Sequence, residues 1–215
     1  MNLCVKVGAR GSNLSQKQVW EVLKELHIHH PTVTFDPTWI KTSGDKDLQT
    51  SLRFMENSNF FTKELDDMLL AGEFRLTMHS AKDLPNPLNN GLIMCALTRG
   101  LDPSDSLVTS DSFTGKGNIA TSSIRREKTI RELYPEAKIV DIRGTIEQRL
   151  AYLERGEIEG LVVAECALIR LELTHLSRIT LPKPYAEHQG QLAVLARADD
   201  VEMQQLFACI DSRKL

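Results

Sequence analysis

At about 100–200 residues per domain, a chain of 215 residues forms one large domain or two small ones, and it is long enough to bury a core without covalent staples. Hydrophobic residues at 41% and charged residues at 26%, with 12 Gly and 8 Pro, exclude collagen-like, low-complexity and disordered classes. A net charge of −3 provides no basic footprint for nucleic acid, so no nucleic-acid partner is expected and any basic site must be local.

The first residues, Met1-Asn2-Leu3-Cys4-Val5-Lys6-Val7, alternate as a strand does. They lack the charged and then apolar regions of a secretory signal, and no run approaches the roughly eighteen apolar residues of a membrane span. Gly8 to Ser12 breaks the alternation, and Val19, Val22, Leu23 and Leu26 then recur at helical spacing behind a cap at Ser12 or Asn13. Val33 to Ile40 is a second extended run, placed at a sheet edge by Pro37, and the polar stretch from Lys41 to Asn59 reads as a long loop.

Phe61, Leu65, Met68 and Leu69 mark a helix ending near Gly72, followed by a strand at Leu76 to Met78 that runs into His79-Ser80-Ala81-Lys82-Asp83-Leu84-Pro85. A strand at Leu92 to Leu97 and a loop through Asp102-Pro103-Ser104-Asp105 precede Asn118 to Arg126, which leads into a helix. Lys138 to Ile142, Ile146 to Leu153 and Leu161 to Ala164 then read as strand, helix and strand. Gln191 to Ala196 and a helical Val201 to Ile210 return to complete the first set. This alternation implies an α/β protein with mainly parallel sheets in two lobes, the first from residues 1–98 and 187–215 and the second from residues 99–186.

Four polar or basic clusters lie just past expected strands: Arg10-Gly11-Ser12, His79-Ser80-Ala81-Lys82-Asp83, Thr121-Ser122-Ser123-Ile124-Arg125-Arg126, and Arg143-Gly144-Thr145. Ligands of open α/β sheets sit at such strand ends, where the following helices present free N–H groups. Hydroxyls and backbone N–H groups can receive one carboxylate while guanidinium forks take others, and Arg149 and Arg170 extend the basic set, so a small polyanion is the expected ligand. The same Ser and Thr residues also suit plain helix capping. Asp83 beside Lys82 is the most pointed pair, because a carboxylate among cations can stabilise a developing cation or move a proton at a nitrogen.

His27, His29 and His30 fit the C-terminus of the first helix, and no metal is expected. Cys4, Cys95, Cys166 and Cys209 are scattered, without a C-x-x-C pair, which points to a reducing cytoplasm; a monomer without a membrane partner is expected.

In order along the chain, Arg10-Gly11-Ser12-Asn13-Leu14 with Gln18, Thr42-Ser43-Gly44-Asp45, Phe61-Thr62-Lys63-Glu64-Leu65, His79 to Pro85, Thr121 to Arg126, Ile142-Arg143-Gly144 with Arg149, Ala164 to Arg170, and His188-Gln189-Gly190 resemble the motifs of the porphobilinogen deaminase (hydroxymethylbilane synthase) family. The resemblance implies two periplasmic-binding-protein-like (type II) lobes around a central cleft. It implies a transferase of porphyrin and heme biosynthesis that joins four porphobilinogen units into hydroxymethylbilane, releasing ammonia, on a covalently held dipyrromethane. Asp83 and Lys82 would be catalytic. Arg10, Ser12, Lys63, Ser80, Thr121, Ser122, Ser123, Arg125, Arg126, Arg143, Arg149, Arg170 and Gln189 would bind substrate and cofactor.

Three positions depart from the family pattern: Asn57-Ser58-Asn59 stands where a basic, glycine-rich stretch is usual, Ala120 replaces a Gly, and Thr145 replaces an Asn. The family's third domain, with its Gly-Gly-Cys anchor for dipyrromethane, is expected to be absent from these 215 residues, so the primer would be held non-covalently or by an unorthodox thiol, for which Cys166, just past a strand end near Arg170, is the candidate. A non-catalytic binding protein for a small polycarboxylated, pyrrole-like ligand is the alternative.

Overall fold

The opening alternation becomes strand β1 (Cys4–Arg10), with Val5, Val7 and Ala9 fully buried. The computed structural model describes residues 3–54 and 59–214, so the readings at Met1, Asn2, Asn57 and Ser58 lie outside the described residues. Helix α1 (Asn13–His29) starts where the Ser12 side chain accepts a hydrogen bond from the Ser15 amide. Its apolar spacing puts Val19, Val22 and Leu26 wholly inside, each contributing about 1.5–3 kcal/mol by burial.

β2 (Thr34–Ile40) pairs parallel with β1 and ends the sheet, so Pro37 sits at an edge. The stretch read as one long loop contains helix α2 (Ser43–Lys46) and a short 3-10 turn at Leu52–Phe54. Neither piece is long enough to show a periodicity. Helix α3 (Lys63–Leu70) follows, stopped by Gly72 at φ 79°, then β3 (Leu76–Ser80), a 3-10 turn at Ala81–Asp83, and β4 (Leu92–Leu97).

Next come β5 (Asp105–Thr109), β6 (Asn118–Ala120), α4 (Ile124–Leu133), β7 (Lys138–Val140), α5 (Ile146–Glu154), β8 (Gly160–Ala164), α6 (Glu165–Arg170) and β9 (Arg178–Thr180). The chain closes with β10 (Leu192–Arg197), α7 (Val201–Phe207) and a 3-10 turn at Ala208–Ile210.

Two compact units result, one drawn from Met1–Lys46, Asn57–Leu101 and His188–Leu215, the other from Asp47–Glu56 and Asp102–Glu187. Residues 47–54, which the sequence reading groups with the first lobe, cluster with the second unit. The first sheet has the order β2-β1-β3-β10-β4 and the second β7-β6-β8-β5-β9. In each sheet the βα repeats supply the parallel pairs, and a later or earlier strand, β10 or β5, inserts antiparallel. The α/β class therefore holds, and each sheet is mixed because the inserted strand arrives directly from the other unit rather than through a helical crossover.

Alternation along β10 divides the first core between two faces. Leu192, Val194 and Ala196 pack with α1 and α7, and Ala193 and Leu195 pack with Leu65 and Leu69 of α3. In the second unit, Leu150 of α5 and Leu168 of α6 join one cluster and Ile130 of α4 another.

The α3 core contains one buried acid. Asp66 is 1% exposed and its Oδ2 accepts a hydrogen bond from Asn89 Nδ2 at 2.7 Å. Burial pushes its carboxyl up from the ordinary 3.8 to about 6. Between those values the folded chain holds a proton that the unfolded chain releases, so the contribution of Asp66 to stability is largest below about pH 4 and falls as pH rises through 6, by about 3 kcal/mol. The Asp66→Asn variant is expected to match the parent protein in urea unfolding at pH 4 and to exceed it at pH 7; equal pH dependence of the two would refute this.

Candidate functional site

In the first unit β1 and β3 run parallel, with Gly8 opposite Thr77, so the residues after each strand emerge at the same sheet end. A Cβ on Gly8 would fall 2.5 Å from the Phe74 ring, which explains why that strand position is glycine. Arg10 closes β1. Its Nε donates to Asp45 Oδ1 at 3.1 Å, its Nη2 donates to the same oxygen, and its guanidinium carbon lies 4.2 Å from the centre of the Phe61 ring. Thr42 donates to Asp45 Oδ2 from its amide at 3.1 Å and its hydroxyl at 2.9 Å. Burial opposes the Asp45 charge, but Arg10 and Thr42 outweigh it and hold the carboxyl below its usual range.

Ser12 caps α1, and Ser80 Oγ accepts from Gln18 Nε2 at 2.8 Å. Lys82 Nζ donates to Gln189 Oε1 at 3.0 Å, which brings the late Gln189 beside the 3-10 turn. His79 is buried with its Nε2 3.0 Å from Thr77 Oγ1; burial, with the nearby Arg10 charge, pushes it down to about 3, so it is neutral at physiological pH.

Asp83 is half-buried and lines a small cavity together with Arg10, Ser12, Gln18, Phe61 and Ser80. Its carboxylate makes no hydrogen bond or ion pair among the described residues. Lys63 does not line this cavity. It stands on the surface at the start of α3, 61% exposed, with its amine on Asp67 one turn along at 2.6 Å.

In the second unit β6 pairs parallel with β7 and β8, which gathers the residues after all three strands at one end. The hydroxyls expected to grip a ligand serve the local backbone: Thr121 Oγ1 accepts from the Ser123 amide at 3.3 Å, Ser122 Oγ accepts from the Ile142 amide at 3.1 Å, and Ser123 caps α4. Arg125 Nη1 and Arg126 Nη2 share one carboxylate, Asp105, at 2.6 and 2.7 Å, and Asp105 is 2% exposed. Arg143 donates to the Asp47 carbonyl, Arg149 Nε donates to the Gly144 carbonyl at 2.9 Å, and Arg170 is buried in α6. Cys166, in the first turn of α6, is 4% exposed.

The geometry thus gives contacts to Asp45, Gln18 and Phe61, which the sequence offers only as members of motifs, and adds Asp105. Gln18 had a readable signal, a polar residue on the apolar face of α1 between Ser15 and Val19. Asp105 had none, because β5 opens with Asp105-Ser106 and looks like the end of a loop. Among the described residues no helix is long and apolar enough to cross a membrane.

The family description "Porphobilinogen deaminase, dipyromethane cofactor binding domain" matches residues 5–205. A probable porphobilinogen deaminase of Chlamydia pneumoniae is 38% identical over 211 residues, 96% of this chain and 89% of that protein. The porphobilinogen deaminase of Nostoc sp. (strain PCC 7120) is 34% identical over 218 residues, 96% of this chain and 68% of that protein. Among solved structures, the periplasmic VFT2 domain of Bordetella pertussis BvgS superposes with a TM-score of 0.54 at 12% identity, over 95% of this chain and 85% of that one. That likeness is one of fold alone, and it agrees with two α/β lobes of the type II periplasmic-binding-protein kind. Motif order, strand-end geometry and a match spanning most of the residues lead to one conclusion: the chain belongs to the porphobilinogen deaminase family.

Proposed function

We propose that this protein polymerises porphobilinogen to hydroxymethylbilane with release of ammonia, and that Asp83 is its catalytic acid and base. The observation that supports this most directly is a half-buried Asp83 carboxylate that makes no hydrogen bond or ion pair among the described residues and lines a cavity together with Arg10. A structural acid at such a position would be paired. An unpaired one is available for a proton on a bound molecule, which favours catalysis over binding alone.

In this reading each unit's own strand-end cations hold carboxylates: in the first Arg10, with Ser12 and Ser80 adding hydroxyls, and in the second Arg125, Arg126, Arg143, Arg149 and Arg170, with Thr121 to Ser123 adding hydroxyls and amides. Gln189 extends the set by orienting the Lys82 amine. The dipyrromethane of the family fits this donor set, since each of its pyrroles carries two carboxylates and the set is built of guanidiniums, an amine and hydroxyls. When bound, it supplies the pyrrole α-carbon to which units are added.

Asp83 donates its proton to the aminomethyl nitrogen of porphobilinogen. The carbon–nitrogen bond breaks with its electron pair going to nitrogen, ammonia departs, and the carboxylate left behind stabilises the cation that develops on the ring. Loss of the α-proton after carbon–carbon bond formation returns a proton to Asp83. Lys82 and Arg10 offer N–H donors that hold the substrate's acid groups in place.

The test is direct. Purified protein given porphobilinogen is expected to consume it and to yield uroporphyrin I after acid oxidation. Absence of turnover, even with preassembled dipyrromethane added, overturns the proposal. Intact-mass measurement addresses the attachment: an adduct of dipyrromethane mass that disappears in Cys166→Ser assigns the anchor to that thiol, and an adduct that persists excludes it.

A further inference from the structure

The first turn of α3 carries two carboxylates that take no part in the proposed chemistry, and each bonds to a different segment that adjoins a residue of the cavity. Glu64 Oε1 accepts a hydrogen bond from the Ser43 amide at 2.6 Å. Ser43 opens α2, the short helix whose Asp45 grips Arg10. That helix presses closely onto the approach to α3, because a Cβ on Gly44 would fall 2.6 Å from the Phe60 carbonyl oxygen and 2.7 Å from the Phe61 ring. Asp66, one residue beyond Leu65, accepts from Asn89 in the connection that follows Lys82-Asp83-Leu84-Pro85. Ala81 and Leu84, on either side of the Lys82-Asp83 pair, pack with Leu65 and Leu69 of the same helix.

We propose that α3 is a two-pronged brace for the site: Glu64, through Ser43, sets the position of the Asp45–Arg10 pair, and Asp66, through Asn89, sets the position of the Asp83 turn. Both are positioning residues. The inference rests on the reading that Arg10 binds a substrate carboxylate and Asp83 transfers the proton.

The two prongs should separate kinetically because they support different tasks. A displaced Arg10 weakens a contact that is made throughout the reaction, which raises KM, whereas a displaced Asp83 misplaces the proton donor, which lowers kcat.

The experiment compares Glu64→Ala, Asp66→Ala and Asn89→Ala with the conservative Glu64→Gln and Asp66→Asn, in full-length protein given porphobilinogen. Glu64→Ala is expected to raise KM about tenfold with kcat within about twofold of the parent, and Asp66→Ala and Asn89→Ala to lower kcat about tenfold with KM nearly unchanged. Glu64→Gln and Asp66→Asn, which keep an acceptor oxygen, should restore values within about threefold. Equal losses in kcat and KM for both prongs, or parent kinetics in the alanine variants, overturn the brace.

Amide hydrogen exchange gives a readout that needs no turnover. Exchange across Thr42–Lys46 should accelerate in Glu64→Ala and not in Glu64→Gln, and unchanged exchange in Glu64→Ala refutes the Glu64 prong. An inactive parent protein with this exchange pattern intact counts against the catalytic reading and leaves the brace standing. Should an alanine variant fail to fold, the Asn89→Ala kinetics and the exchange pattern of Glu64→Gln against the parent decide the matter, since a changed pattern in the latter contradicts the brace.

Discussion

Asp83→Asn is expected to lower porphobilinogen turnover by about 10²–10⁴-fold, the usual contribution of a positioned acid or base, while leaving the unfolding free energy within about 0.5 kcal/mol of the parent. The two halves of this expectation have separate grounds. Asparagine keeps the shape of aspartate and cannot deliver or accept the proton that amine departure requires. Stability should not suffer because the carboxylate has no hydrogen bond or ion pair among the described residues that the change could break. Steady-state kinetics and urea unfolding on the same preparation check both. Retained turnover refutes the catalytic assignment, and a large loss of stability shows that Asp83 has a structural partner after all.

Asp105→Ala should have the largest effect on stability, about 3 kcal/mol in urea unfolding of its unit. Asp105 is almost wholly buried at the start of β5, and it accepts from Arg125 at 2.6 Å and from Arg126 at 2.9 and 2.7 Å. Removing it leaves two like-charged guanidiniums close together without the anion between them, and that repulsion is costly. The figure lies at the low end for a broken buried pair because Arg125 and Arg126 remain 22% and 13% exposed, and Arg125 also donates to the Pro184 carbonyl. A loss below about 1 kcal/mol would show that the guanidiniums find other partners. The arrangement bears on binding too: two arginines that share one carboxylate present one net positive charge, less than the sequence alone implies.

Much of the site could be read from the chain because local chemistry announces it. Arg10, Ser12, Ser80 and Asp83 follow strands whose apolar alternation or runs are plain in sequence, and all four line one cavity. Asp45 was visible as part of a motif, but its bidentate hold on Arg10 joins residues thirty-five positions apart and has no local signature. Lys63 belongs to a motif as well, and its amine turned to Asp67 because an i,i+4 acid on the same helix was nearer than anything else.

The division follows the range of the interactions. Periodicity, caps and glycine breaks act over a few residues, so the α/β class, the start of α1 after Ser12, the edge position of β2 and the strand-end clusters follow from composition and spacing alone. Charge pairing, burial and strand insertion depend on segments brought together from far along the chain. Strand β5, with its polar opening, takes its place only by pairing with β8 and β9, and Asp105 becomes the counterion of two arginines only once that pairing sets it beside α4. Asp83 appears the same in sequence whether paired or free; folding leaves its carboxylate without a hydrogen bond or ion pair among the described residues, and the proposed chemistry depends on that.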